Sequence, residues 1–261
     1  MTIDYRGTTA LITGASAGLG AEYAEQFARR GTDLVLVARR TDRLDALAER
    51  LHAAHGVGAQ VVGLDVGEPD AAARLRAELA ERGIRVDHVV NNAGFGMKGA
   101  LAAADAARLD EMVRVNVGAV VAITRAFLPD LLAAGRGTLV NIASNAAFQP
   151  CPSMAVYGAT KAFVLSFTEA VSYEVRGTGV AVLAVCPGAT RTEFFDVMGT
   201  EAIVGSVQTA EQVVAATFGA LERRNPPPSI VGGVLNRVNA KLAGIVPRRL
   251  ALAVSARLLG A

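Results

Sequence analysis

Short apolar runs alternate with amphipathic stretches along this chain, and the alternation persists to about residue 231. Thr8 to Thr13 (TTALIT), Asp33 to Ala38 (DLVLVA), Ala59 to Leu64, Val86 to Val90, Leu139 to Ala143 and Val180 to Cys186 read as short strands, with Ser229 to Val231 as a last one. Between them, Leu19 to Arg30, Asp42 to Ala54, Pro69 to Arg82, Leu109 to Leu132 and Ala155 to Arg176 read as helices. Pro69 suits a first helical turn, where its missing N–H costs nothing. Thr209 with Gln212 forms a capping-box pattern for a helix reaching Glu222, and Pro226-Pro227-Pro228 breaks the chain after it. Strand and helix in alternation predict an α/β fold, a doubly wound parallel sheet with helices on both faces and right-handed crossovers. The expected division is one domain over residues 1–231 and a tail over 232–261.

The first strand runs into Gly14-Ala-Ser-Ala-Gly18-Leu-Gly20 and then a helix. Strand, glycine turn and helix together form the context of a dinucleotide fingerprint. Glycines let the backbone approach a pyrophosphate, and the helix N-terminus supplies N–H groups and a positive dipole end. The spacing, Gly-x-x-x-Gly-x-Gly, is longer than the common form; a plain tight turn is the alternative. An acidic residue ending the second strand would hold a ribose 2′-hydroxyl. This chain has Ala38-Arg39-Arg40 there. A guanidinium binds a 2′-phosphate bidentately where a carboxylate repels it, so Arg39 predicts NADP(H) over NAD(H), with surface arginines opening the next helix as the alternative. Asp65, after the third strand, suits either an adenine amine or the cap of its own turn. Asn91-Asn92-Ala93-Gly94 leaves the fourth strand where cofactor should lie, and its Asn side chains either pin a turn or hold the cofactor edge.

Tyr157 and Lys161 are four apart on a predicted helix, which stacks them on one face. An ammonium beside a phenol favours the phenolate, so Lys161 is expected to lower the Tyr157 pKa and make it a general acid/base. Ser144 follows the fifth strand, and its hydroxyl is suited to hold a substrate oxygen. Asn116 interrupts a helical stretch as a poor interior residue. It points to solvent, or marks a kink or bound water beside the site.

Composition narrows the reading. Of 261 residues, 52% are hydrophobic and 19% charged, which argues for a sizeable core, and a net charge of +2 does not imply nucleic acid. Two cysteines, Cys151 and Cys186, make neither a disulfide framework nor a metal cluster, and no metal is expected. His52, His55 and His88 suit surface or packing roles. Met1 to Gly7 is polar and charged, and no uninterrupted apolar run reaches the length of a membrane span, so a soluble cytoplasmic protein is expected. Phe194, Phe195, Val197 and Met198 make Thr190 to Val207 an apolar loop suited to a substrate lid. With Phe148 and Cys151 they suggest an apolar substrate. The tail carries Arg237, Lys241, Arg248, Arg249 and Arg257 and no acid. Val234, Leu235, Val238, Leu242 and Ile245 recur at helical spacing, and Pro247 divides the tail in two. Packing on the body or a sister subunit is the expected role, with a membrane surface as the alternative.

Thr13-Gly14-x-x-x-Gly18-x-Gly20, Asp65, Asn91-Asn92-Ala93-Gly94, Asn116, Ser144, Tyr157-x-x-x-Lys161 and Pro187-Gly188-x-x-x-Thr192 occur in one order. In this the chain resembles the compact single-domain short-chain dehydrogenase/reductases over about Thr8 to Glu222. The resemblance implies a Rossmann-like fold and hydride transfer between NADP(H) and a carbonyl/alcohol pair. It implies Tyr157 as proton donor or acceptor, Lys161 on the nicotinamide ribose, Ser144 on the substrate oxygen and Asn116 holding a relay water. Cofactor contacts are expected from Gly14, Ser16, Gly18, Leu19, Gly20, Arg39, Asp65 and Val66. They continue through Asn92, Ala93, Gly94, Tyr157, Lys161, Pro187 and Gly188, with Thr192 on the carboxamide. A homodimer or homotetramer and a small carbonyl substrate, apolar or acyl-type, are the expected partners. A cofactor-sensing binding protein on the same fold is the competing reading.

Overall fold

In the computed structural model the described residues are 3–193, 207–233, 236–238, 240 and 246–259. The proposed lid side chains Phe194, Phe195, Val197 and Met198 lie outside them, as do Val234, Leu235, Lys241, Leu242 and Ile245 of the tail. Seven parallel strands form one sheet: β1 (Thr9–Thr13), β2 (Asp33–Ala38), β3 (Ala59–Gly63), β4 (His88–Asn91), β5 (Gly137–Ile142), β6 (Val180–Cys186) and β7 (Ser229–Val231). Their order is β3-β2-β1-β4-β5-β6-β7. The sheet is built outward in both directions from β1 and β4, so a crevice opens at the carboxyl ends of these two strands.

Two-residue periodicity fills both faces. Ala10, Ile12, Leu34, Leu36, Val90, Val140, Leu183 and Val185 point to one core. Helices α1 (Gly18–Ala28), α2 (Thr41–His55) and α7 (Ala210–Leu221) cover it. Leu11, Val35, Val37, Val89, Leu139 and Val182 point to the other core, under α3 (Ala71–Glu81), α5 (Val120–Ala134) and α6 (Ala155–Glu174). The Thr209–Gln212 capping box forms as its spacing requires. Pro69 does not enter a helix: α3 starts at Ala71, after Asp70 in the left-handed region at φ 55. The turn that Asp65 closes onto Glu68 brings the chain into α3 at that angle.

The helix expected over Leu109 to Leu132 is longer and has a defect. It comprises α4 (Ala106–Val113), a π-helical segment Arg114–Ala119 and α5. Ala106–Ala134 as a whole is long and apolar enough to cross a membrane by length and composition, which the sequence reading missed because Arg114, Asn116 and Arg125 break its apolar run. Its inward residues Ile123, Phe127 and Leu131 pack on the sheet. After Pro247, α8 (Arg248–Leu259) carries the end of the chain.

His88 is a packing residue. It is buried on β4, with Nδ1 3.0 Å from Thr138 Oγ1 and Nε2 3.2 Å from Thr8 Oγ1. Burial pushes its pKa from 6.5 down to about 4. Between those values the unfolded chain takes up a proton that the folded site refuses, so stability falls as pH drops through this window. The full loss is about 3 kcal/mol. Urea midpoints of the wild type should fall more between pH 7 and pH 4 than those of His88→Asn; equal falls would refute this origin.

Candidate active site

The crevice holds a cavity of about 830 Å³ with the glycine turn at one end and Tyr157 and Lys161 at the other. The turn exists because Gly14 and Gly18 adopt φ +65° and +55°. A Cβ on Gly14 would lie 2.9 Å from Ala93 Cα, and one on Gly18 would lie 3.0 Å from Thr192 Cβ. Asn92 pins the turn, donating from Nδ2 to Thr13 O at 2.9 Å and Gly14 O at 3.1 Å. The N-terminus of α1 has no side-chain cap, since Ala17 offers none, and Ala17, Gly18 and Leu19 line the cavity. Uncapped N–H groups facing a cleft fit a pyrophosphate.

Arg39 and Arg40 stand at the cavity mouth. Arg39 Nη1 lies 3.4 Å from Asp65 Oδ2 and 3.3 Å from Glu111 Oε1. Asp65 also accepts from Gly67 N at 2.9 Å through its other oxygen, so it caps its turn while facing the cavity. Arg40 donates to Ser16 Oγ at 3.0 Å from Nη2, and its Nη1 is 3.1 Å from Glu193 Oε2. Arg43 Nη1 donates to Glu193 Oε1 at 2.7 Å. Glu111 and Glu193 escaped the sequence reading, because their partners are remote in the chain.

At the other end α6 presents Tyr157 and Lys161 on one face, both buried. The Tyr157 hydroxyl is hydrogen-bonded to the Ser144 side chain. Ser144 Oγ also accepts from Ala146 N at 3.2 Å, which fixes it at the start of the 3₁₀ turn Asn145–Phe148. Lys161 Nζ donates to Ile142 O at 2.8 Å and lies 5.8 Å from the Tyr157 ring centroid.

The expected acidic phenol is not what this arrangement produces. Burial pushes Tyr157 up to about 12, against a smaller lowering by the Ser144 hydrogen bond and with a further rise from Cys151. The ammonium is directed at a carbonyl instead, and burial brings Lys161 down to about 8. Desolvation is the largest cause for both groups.

All the expected site residues line the cavity except Gly20 and Asn116. Gly20 stands beneath the turn, where a Cβ would lie 2.2 Å from Gly14 O. Asn116 sits in the π segment, a frequent mark of functional sites. Its side-chain amide clamps Phe95, accepting from the backbone N at 3.1 Å and donating to O at 2.9 Å, and donates to Thr160 Oγ1 at 3.1 Å. It therefore braces the wall that carries Gly94 and α6. Cys151 lines the cavity, but Phe148 packs against the cluster that contains Val164 and Leu165 and is not part of its wall. The tail supplies the remaining wall: Leu250, Val254, Ser255 and Leu259 of α8, with Asn236 lying against Gly188. Leu259 packs on the cluster that contains Tyr157.

A parallel sheet with a glycine cradle at its switch point, and a tyrosine, serine and lysine in the same cleft, defines a nicotinamide-dinucleotide oxidoreductase. The chain belongs to the short-chain dehydrogenase/reductase family, whose short chain dehydrogenase profile matches residues 8–202. It is 41% identical over 189 residues to a sulfoacetaldehyde reductase of Chromohalobacter salexigens, covering 70% of this chain and 72% of that one. A short-chain dehydrogenase from Sphingobium yanoikuyae, solved with NADPH, superposes at a TM-score of 0.80 with 35% identity, covering 92% of this chain and 97% of that one. A 7β-hydroxysteroid dehydrogenase structure superposes at 0.86 with 27% identity, over 98% and 99%. The protein is an NAD(P)-dependent oxidoreductase acting on a carbonyl/alcohol pair.

Proposed function

We propose that the protein is an NADPH-dependent reductase of an apolar or acyl-type carbonyl compound, with Tyr157 as its proton donor. The carrying observation is a single cavity that joins Arg39 and the glycine turn to the hydrogen-bonded Ser144 and Tyr157. Gly14, Ser16, Gly18, Leu19 and the N-terminus of α1 would hold the pyrophosphate side of the cofactor. Asp65 and Val66 would flank the adenine. Asn92, Ala93, Gly94, Lys161, Pro187, Gly188 and Thr192 would hold the nicotinamide half. The bound cofactor supplies a hydride from its nicotinamide ring.

The chain supplies position and the proton. Ser144 holds the carbonyl oxygen, and Tyr157 donates to it. A phenol held at about 12 is protonated at neutral pH and so carries the proton that reduction of a carbonyl needs. Lys161, at about 8 and anchored on Ile142 O, presents its remaining hydrogens to the ribose. The apolar side chains Leu250, Val254 and Leu259 line the cavity and favour an apolar substrate. This supports the tail as a wall of the site over the alternative of a membrane-surface segment. Exposed Tyr173, with Phe163 stacked on Phe167 at 5.9 Å, supports α6 as a subunit interface.

NADPH oxidation across a panel of ketones and aldehydes, with NADPH binding measured separately, tests this reading. Turnover concentrated among bulky apolar carbonyls is expected. Binding without turnover on any of them would reject it.

A further inference from the structure

The phosphate end of the cavity is already neutralised by the chain's own carboxylates. Glu193 receives Arg43 at 2.7 Å on one oxygen and Arg40 at 3.1 Å on the other. Arg40 in turn holds Ser16 of the glycine turn at 3.0 Å. Ser16, Arg39, Arg40 and Glu193 all face the cavity; Arg43 does not line it. The hydrogen bonds from Arg43 and Arg40 hold the Glu193 carboxyl below the usual carboxylate range. It follows directly on Thr192, whose side chain lies over Gly18.

We propose that Glu193 is a placeholder for the cofactor's 2′-phosphate: its carboxylate occupies the Arg40 guanidinium that the phosphate would take, and must leave when the phosphate arrives. This rests on the NADPH reading above. A phosphate monoester carries about −1.5 to −2 charge and three acceptor oxygens, so it outcompetes one carboxylate for a guanidinium. Once it is bound, Glu193 beside it is a like charge and is expelled. NADH has no group to displace Glu193 and leaves the contact with Arg40 intact. Glu193 therefore lowers NADPH affinity while leaving NADH affinity alone, which narrows the preference between them, and it makes phosphate binding move the chain next to Thr192.

The ion pairs are about half exposed, so the effect is moderate. Titration calorimetry on the purified protein with NADPH, NADH and 2′,5′-ADP would test it, in wild type, Glu193→Gln and Glu193→Ala, with thermal unfolding as a folding control. We expect NADPH and 2′,5′-ADP to bind both variants about two- to fivefold more tightly than the wild type, with NADH unchanged. Equal tightening of NADH, no change, or weaker NADPH binding would overturn the placeholder. A wild type that binds NADH as well as NADPH would instead remove the NADPH reading, and the placeholder with it. Retained NADPH preference with unchanged variants removes the placeholder alone.

Discussion

Tyr157→Phe is expected to bind NADPH as the wild type does and to reduce its carbonyl substrate about a hundred to ten thousand times more slowly. The substitution removes one oxygen from a buried side chain. Ring packing against Met112, Cys151, Met154 and Leu259 is kept, so the fold should survive. What is lost is the phenolic hydroxyl hydrogen-bonded to Ser144 at the substrate end of the cavity. Without it the developing alkoxide must take its proton from water in a cleft walled by apolar side chains. Ser144 remains to hold the oxygen, so residual turnover should exceed the uncatalysed rate. Stopped-flow hydride transfer and fluorescence titration of NADPH separate the two effects. A variant with undiminished turnover would remove Tyr157 from the chemistry.

Arg39→Asp should reverse the cofactor preference. Arg39 balances Asp65 and Glu111, at 3.4 and 3.3 Å. Replacing it with an acid removes the guanidinium and leaves three carboxylates around the space a 2′-phosphate would enter. Losing a charge-assisted contact costs about 1.5–3 kcal/mol, and like-charge repulsion adds to it. The KM for NADPH should rise about a hundredfold or more, while that for NADH stays level or falls. Steady-state constants for both cofactors check this. Unchanged NADPH affinity would place the phosphate elsewhere.

Features set by local chemistry were readable from the residue order. The β1 strand, the glycines at positive φ and the start of α1 follow from adjacent residues, and the cavity forms at that turn. Tyr157 and Lys161 share a face because their spacing is helical. Asn116 stood out as a poor helix residue, and it occupies a π segment. Features set by tertiary packing were not readable. The phenol rises because the surrounding elements desolvate it, and the ammonium turns to Ile142 O, a strand carbonyl contributed by β5. Glu193 reaches Arg40 and Arg43 across some 150 residues, a distance over which no periodicity speaks. Gly20 serves the turn from beneath and not the cleft, a distinction that depends on which backbone atoms close over it. Pro69 looked like a helix start, but the turn that Asp65 closes onto Glu68, with Asp70 at positive φ, delays the helix to Ala71.

The account depends on hydride delivery and protonation meeting at one carbonyl in the cleft beside Tyr157. The direct measurement uses NADPH deuterated at the transferable C4 position, a carbonyl found in the panel, and product analysis for wild type and Tyr157→Phe. The account predicts deuterium on the carbinol carbon of the wild-type product and little product from the variant in the same time. Product without that label, or equal labelled product from both proteins, would contradict it.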